Sequence, residues 1–280
     1  MQMMLDTVKN FADRYNISFS TDPQPKKSKS KSIFMVGKKR GLTKPAPLML
    51  GEHELPWVDC AIHLGHTLHE SGTMDQDAVV KRAEFIEKSV EVRTMFEWAA
   101  LIEVLTALKF SCSDFYGSML WDLGGDKASQ VYAAWNTAVK LTWSCPRWTK
   151  TFLVQQVLAS GSTSAETDIL ARYGNFCKGL RTSRSQEVRV LFYLVSRDLQ
   201  STTGKNIKNL VEKSGQDPWS VSSIRLKTAL HEKQMVGISA QDTWRIGYLT
   251  SLLGQLQEAK TLVEDDRTKL LQDLIDSLVR

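Results

Sequence analysis

The hydrophobic period of this chain changes at Ser71-Gly72, and that change limits what it can fold into. Ahead of it, after one helical opening, apolar residues come in short runs and alternations. These are cut by Asp22-Pro23-Gln24-Pro25 and by Gly51. Behind it, apolar residues recur every three to four positions, the spacing of amphipathic helices. The pattern predicts a mostly α chain: a small α+β portion over about 1–70, then an all-helical body, with no flexible tether between them.

Met3-Met4, Val8, Phe11-Ala12 and Tyr15 predict a helix over 2–15. Ile17 to Ser20 alternates like a short strand, and Ser32 to Val36 reads as a buried one. Leu48-Met49-Leu50, a turn at Gly51 and Glu54-Leu55 predict a hairpin, with extended chain from Val58 to Leu68. Residues 75–97 read as a helix whose apolar stripe is Val79, Ala83, Ile86 and Val90. Further helices are expected over 100–118, 127–143, 148–159, 164–178, 185–200, 219–236 and 240–280, with a polar break from Gly204 to Pro218.

The formal charge of +5 bounds little, but its placement says more. Between Pro23 and Gly51 stand eight cations and no acid: Lys26, Lys27, Lys29, Lys31, Lys38, Lys39, Arg40 and Lys44. On the 75–97 helix, Lys81, Arg82, Lys88 and Arg93 fall on one flank and Glu84, Glu87 and Glu91 on the other. Both features fit contact with a polyanion backbone, RNA or DNA, weak and blind to base sequence. Four widely spaced cysteines with no CxxC pair fit a reducing compartment. No apolar run approaches a membrane span, and Met1 to Asn10 has no secretory core. The expectation is an intracellular protein, cytoplasmic or nuclear, with no membrane partner.

Few residues invite chemistry. Phe11-Ala12-Asp13-Arg14 and Asp265-Asp266 read as solvated helix surface. Cys60, His63, His66 and His69 have zinc-like donors, but i and i+3 on a strand face opposite ways. Gly124-Gly125 is a turn with no phosphate-loop Gly-Lys-Ser/Thr after it. His231 stands alone and exposed, and most of the eight Trp read as core. No catalytic residue and no metal site is expected.

Several short motifs stand in a telling order: Pro25-Lys26-Lys27-Ser28-Lys29, Ala61-Ile62-His63-Leu64-Gly65, Tyr116-Gly117 with Trp121, and Trp135-Asn136 to Trp143. Taken with the helix Met1 to Tyr15, they resemble the C-terminal part of a non-LTR, LINE-type retrotransposon reverse transcriptase. The likeness covers about residues 1–160. It implies a palm-edge and primer-grip remnant over 1–72, thumb helices over 73–160, and a helical extension of open role over 161–280. It also implies that Lys27 or Lys29 holds the place of the motif D lysine. His63, Leu64 and Gly65 would face a primer, with His63 standing where an aromatic residue, often Tyr, is usual. In that family the magnesium-binding carboxylates lie upstream of the segment this chain resembles. The chain is therefore expected to need no cofactor of its own and to bind nucleic acid without catalysis, although the parent enzyme would use Mg.

Two alternatives stay open. The chain is a truncated gene model of an active enzyme, or a domesticated interaction module whose Leu270, Leu271, Leu274, Ile275 and Leu278 meet a partner helix. A palm remnant without its sheet would also leave the strands at Ile17 to Phe19 and Ile33 to Val36 with open edges.

Overall fold

A computed structural model describes residues 1–21, 24, 27–35, 45–95, 104, 107–108, 115–142, 145–151, 164–217, 222–235 and 238–258. Two compact units divide the chain, Met1–Asp77 and Ala78–Arg280. The described residues are mostly helical, with two small antiparallel hairpins.

In the first unit, α1 (Gln2–Arg14) packs against β1 (Leu48–Leu50), which pairs with β2 (His53–Leu55). The side-chain amide of Gln2 acts as an extra strand residue for Met49. It donates to the Met49 carbonyl and accepts from the Met49 N–H, each at 2.9 Å. Ala12 is the one buried residue of α1, and the predicted apolar stripe lies open: Met4, Val8, Phe11 and Tyr15 are all exposed. β3 (Cys60–His63) and β4 (His66–His69) form the second hairpin, where the sequence pattern suggests continuous extended chain. Asp77, fully buried, accepts from the Thr67 N–H at 2.8 Å and faces His66 Nδ1 at 3.5 Å, tying β4 to the first turn of the next helix.

Two expected strands are not formed. Ile17 to Ser20 has no ladder partner. Of the run starting at Ser32, only Ser32 bridges, to Trp57 in parallel, and Val36 lies outside the described residues. Short apolar runs satisfy strand patterns easily, and only a neighbouring edge makes them strands.

The second unit holds most of α2 (Asp75–Met95), then α3 (Asp126–Thr142), α4 (Ala165–Arg181), α5 (Gln186–Arg197), α6 (Thr202–Ser214), α7 (Ser223–Met235) and α8 (Ala240–Glu258). Serine hydroxyls start three of them: Ser164, Ser185 and Ser201 accept from Thr167, Val188 and Gly204 N–H respectively. α4 is the hub, packing against α3, α5, α6 and α7. The stripe predicted for α2 is on the wrong face. Ala83, Ile86 and Val90 are exposed, while Ala78, Phe85, Ser89 and Val92 are buried. Phe85 decides the matter, because the largest ring takes the core. It meets Phe115 at 5.6 Å and Trp135 at 5.8 Å, and Phe115 meets Trp121 at 6.1 Å.

The expected polar break after Gly204 is in fact α6. Its Asn206, 1% exposed, reaches back to the turn after the 3-10 segment Ser118–Leu120. The Asn206 amide donates to the Trp121 carbonyl at 2.7 Å and accepts from the Leu123 N–H at 2.8 Å. Gly204 sits where a Cβ would lie 2.2 Å from the Asp198 carbonyl oxygen, so the start of α6 is pressed onto the turn after α5. The helix expected over 100–118 ends early, since Phe115 to Gly117 form a turn with Gly117 at φ 79°. Most of the helix expected over 148–159, together with Asp265-Asp266 and the leucines after 258, lies outside the described residues.

Candidate nucleic-acid interface

The Lys-Ser segment is built as an alternation. Lys27 and Ser28 N–H groups both donate to the Gln24 carbonyl, at 2.9 and 3.0 Å. Ser28 is buried, and its hydroxyl donates to the Ser30 carbonyl at 2.6 Å. The Ser30 N–H donates to the Ser20 carbonyl, the Ser32 N–H to the Pro56 carbonyl, and the Val58 N–H to the Ser32 carbonyl. Serines 28, 30 and 32 thus face inward or sit half-buried, while Lys27 and Lys29 are exposed and Lys31 is half-buried. Among the described residues none of these three lysines enters an ion pair. Lys26, Lys38, Lys39, Arg40 and Lys44 lie outside the described residues.

His63, Leu64 and Gly65 do not run on as a strand edge. Leu64 at φ 49° and Gly65 at φ 80° are the two central residues of the β3–β4 turn. Positive φ at both positions is the mark of a tight hairpin turn whose twist matches its strands, and Gly65 adopts it at no steric cost. The tip is apolar and open, with Ile62 79% and Leu64 77% exposed and His63 exposed beside them.

The cations of α2 do not form a free edge. Lys81 is ion-paired with Glu84 at 2.9 Å across one helical turn, so the two flanks are bridged rather than separated. Arg82 and Arg93 are half-buried, and Lys88 alone of the four is fully exposed. The structure therefore keeps Lys27, Lys29, Lys31 and the His63–Gly65 tip in the first unit and puts Lys81, Arg82, Lys88 and Arg93 in the second.

Cross-strand pairing sets Cys60 beside His69 and His63 beside His66, on opposite faces of the hairpin. Among the described residues no group of three His, Cys, Asp or Glu is placed to hold a metal ion. Asp13 is ion-paired with Lys9 on the surface of α1. These two line a cavity of about 350 Å³ with His53, Phe19 and Leu50. Burial pushes the Cys145 and Cys177 thiols up to about 11, which leaves them protonated and unreactive at neutral pH. Burial likewise holds the Tyr132 and Tyr173 hydroxyls far above their usual range. Both serve as donors, Tyr132 to the Leu123 carbonyl at 3.3 Å and Tyr173 to the Thr203 carbonyl at 3.1 Å. Trp121 and Trp135 are core, whereas Trp148 and Trp244 are 75% and 70% exposed.

Sequence reasoning misses Asn206. Ser201, three residues before a tight glycine and followed by Ile207 and Leu210 at helical spacing, is the available signal. Among the described residues no helix is long and apolar enough to cross a membrane. No family model matches the chain, and neither a curated protein nor a solved structure matches it.

Proposed function

We propose that this chain is the palm-edge, thumb and C-terminal part of a non-LTR retrotransposon reverse transcriptase that grips RNA or DNA backbone, in the cytoplasm or nucleus, without extending a primer. One observation carries the binding half: the Lys-Ser alternation. Buried or half-buried, hydrogen-bonded serines fix every second residue, so Lys27 and Lys29 project, with Lys31 half-buried beside them, from a turn that is already ordered. Ordering in advance lowers the entropy lost when a backbone binds. Point charges without base-reading side chains give affinity rather than sequence preference.

The ancestry draws support from α1. Met4, Val8, Phe11 and Tyr15 form one stripe, and all are exposed. A palm sheet would cover such a stripe in the enzymes this helix resembles. The Tyr116-Gly117 and Trp121 signature supports it too, since Phe115 and Trp121 sit in the aromatic core with Phe85. The His63–Gly65 tip stays in the proposal as an apolar contact to a strand, not as an extended grip.

The test has two arms. The full chain should bind single-stranded RNA and duplex DNA with affinity that falls linearly in log salt. On a primed template with magnesium and deoxynucleotides it should add none. Nucleotide incorporation by the pure chain would overturn the non-catalytic reading, and salt-independent or absent binding would overturn the rest.

A further inference from the structure

A cleft of about 440 Å³ opens where the end of α4, one side of α5 and the start of α6 meet, all within the second unit. α5 supplies Arg189, Phe192, Tyr193, Ser196 and Arg197, which recur at helical spacing and so share one side of that helix. α4 adds Arg181 and α6 adds Ile207. Phe192 and Ile207 are buried and form an apolar floor, while the three arginines are exposed at its margin. No carboxylate lines the cleft. The two acids of the stretch from Lys178 to Lys208 are held by their own turns: Glu187 accepts from the Ser185 hydroxyl at 2.6 Å and Asp198 from the Gln200 N–H at 2.9 Å. That stretch carries seven Lys or Arg against these two acids, so its field favours an anion.

Two of the guanidiniums are set in place. Arg197 lies 4.0 Å from the centre of the Tyr193 ring. Arg189 donates through Nη1 to the Ser183 and Arg184 carbonyls, and among the described residues its Nε and Nη2 make no further bond. A cation would find no counter-charge here. A bare phosphate would leave the apolar floor in water, and an apolar molecule would leave the arginines without an anion. An anion on a flat ring answers both, because guanidinium forks match phosphate oxygens and aromatic side chains stack on bases. We infer that the cleft seats one nucleotide unit, its phosphate on Arg181, Arg189 and Arg197 and its base against Phe192 and Tyr193. The volume suits a small molecule, and the unit is either a free nucleotide or part of a single strand. This assignment stands without the Lys-Ser segment, which belongs to the first unit.

Calorimetric titration of the full chain with AMP, adenosine, inorganic phosphate and a ten-residue adenylate strand tests it. If the unit is free, AMP should bind about tenfold or more tighter than adenosine or phosphate, since only AMP meets both halves of the cleft. If it belongs to a strand, the decamer should take that place. Arg181→Gln/Arg197→Gln should weaken the cleft-bound probe by about tenfold or more. Tyr193→Ala should weaken it by about fivefold or more, and Tyr193→Phe, which keeps the ring, should not. All four side chains are exposed in whole or part, and unaltered urea midpoints would show the variants folded. The Lys27→Ala/Lys29→Ala chain should bind AMP as the unaltered chain does, so the two sites fail independently. AMP bound no tighter than phosphate, together with a decamer indifferent to the cleft variants, overturns the inference. Equal loss in Tyr193→Phe and Tyr193→Ala overturns it too.

Discussion

Asn206 holds Trp121 across 85 residues of chain, donating to its carbonyl at 2.7 Å while accepting from the Leu123 N–H at 2.8 Å. One buried side-chain amide thereby satisfies two backbone groups of a turn that has no regular ladder of its own. It also joins the turn after Ser118–Leu120 to α6, both within the second unit.

Replacing Asn206 with Leu leaves the Trp121 carbonyl and the Leu123 N–H buried without partners. At about 1–3 kcal/mol for each orphaned group, the variant should lose roughly 2–6 kcal/mol in urea unfolding. Lys208→Ala, an exposed change on the same helix, should stay within about 0.5 kcal/mol.

The face of α2 is tested by a pair of truncations. Phe85→Ala should cost about 3–5 kcal/mol, because the ring fills the centre of the aromatic cluster. Val90→Ala, on the stripe that the sequence favours, should cost under about 1 kcal/mol. Equal losses would mean that both faces are covered.

Much of this fold is legible in the sequence, and the failures share a cause. The helices at 2–14, 126–142, 165–181 and 186–197 and the Leu48–Leu55 hairpin follow from spacing, because their patterns are long or bounded by turn residues. The strands at Ile17 and Ile33 fail because pairing needs an edge that local pattern does not reveal. α2 is where the spacing puts it, but rotated. Its β-branched residues make a neater stripe than Phe85 with Ala78 and Ser89, yet packing rewards the large ring. α6 escapes the pattern because Lys and Asn hide Ile207 and Leu210, and the role of Asn206 depends on partners far away in sequence. At the candidate site, the Lys-Ser run is plain. That its serines turn inward depends on Gln24, Ser20 and Pro56 as partners.

Gly204→Ala should be strongly destabilising, since its Cβ would come within 2.2 Å of the Asp198 carbonyl oxygen. The expected sign is loss of helix at the start of α6 and a lower thermal midpoint. Gly179→Ala, in a helix and with open space at its Cβ, should instead raise stability by roughly 0.5–1 kcal/mol.

Alkaline pH should weaken the fold. Burial raises Cys145 and Cys177 from 9.0 to about 11, so between those values the folded chain keeps protons that the unfolded chain releases. Stability is therefore unaffected by these thiols below pH 9 and falls as pH rises through the window. Thermal midpoints across pH 7–11 check this. In the folded chain at pH 8, Cys60 should react with a thiol reagent while Cys145 and Cys177 do not.

The most direct measurement of the central claim is the salt dependence of RNA binding by the full chain and by Lys27→Ala/Lys29→Ala. If the alternation presents these lysines to phosphates, the variant should bind more weakly at every salt concentration. Its log–log slope should be shallower by about 1.4, at roughly 0.7 for each single-strand phosphate that a lysine no longer neutralises. A variant with the affinity and slope of the unaltered chain would contradict the account.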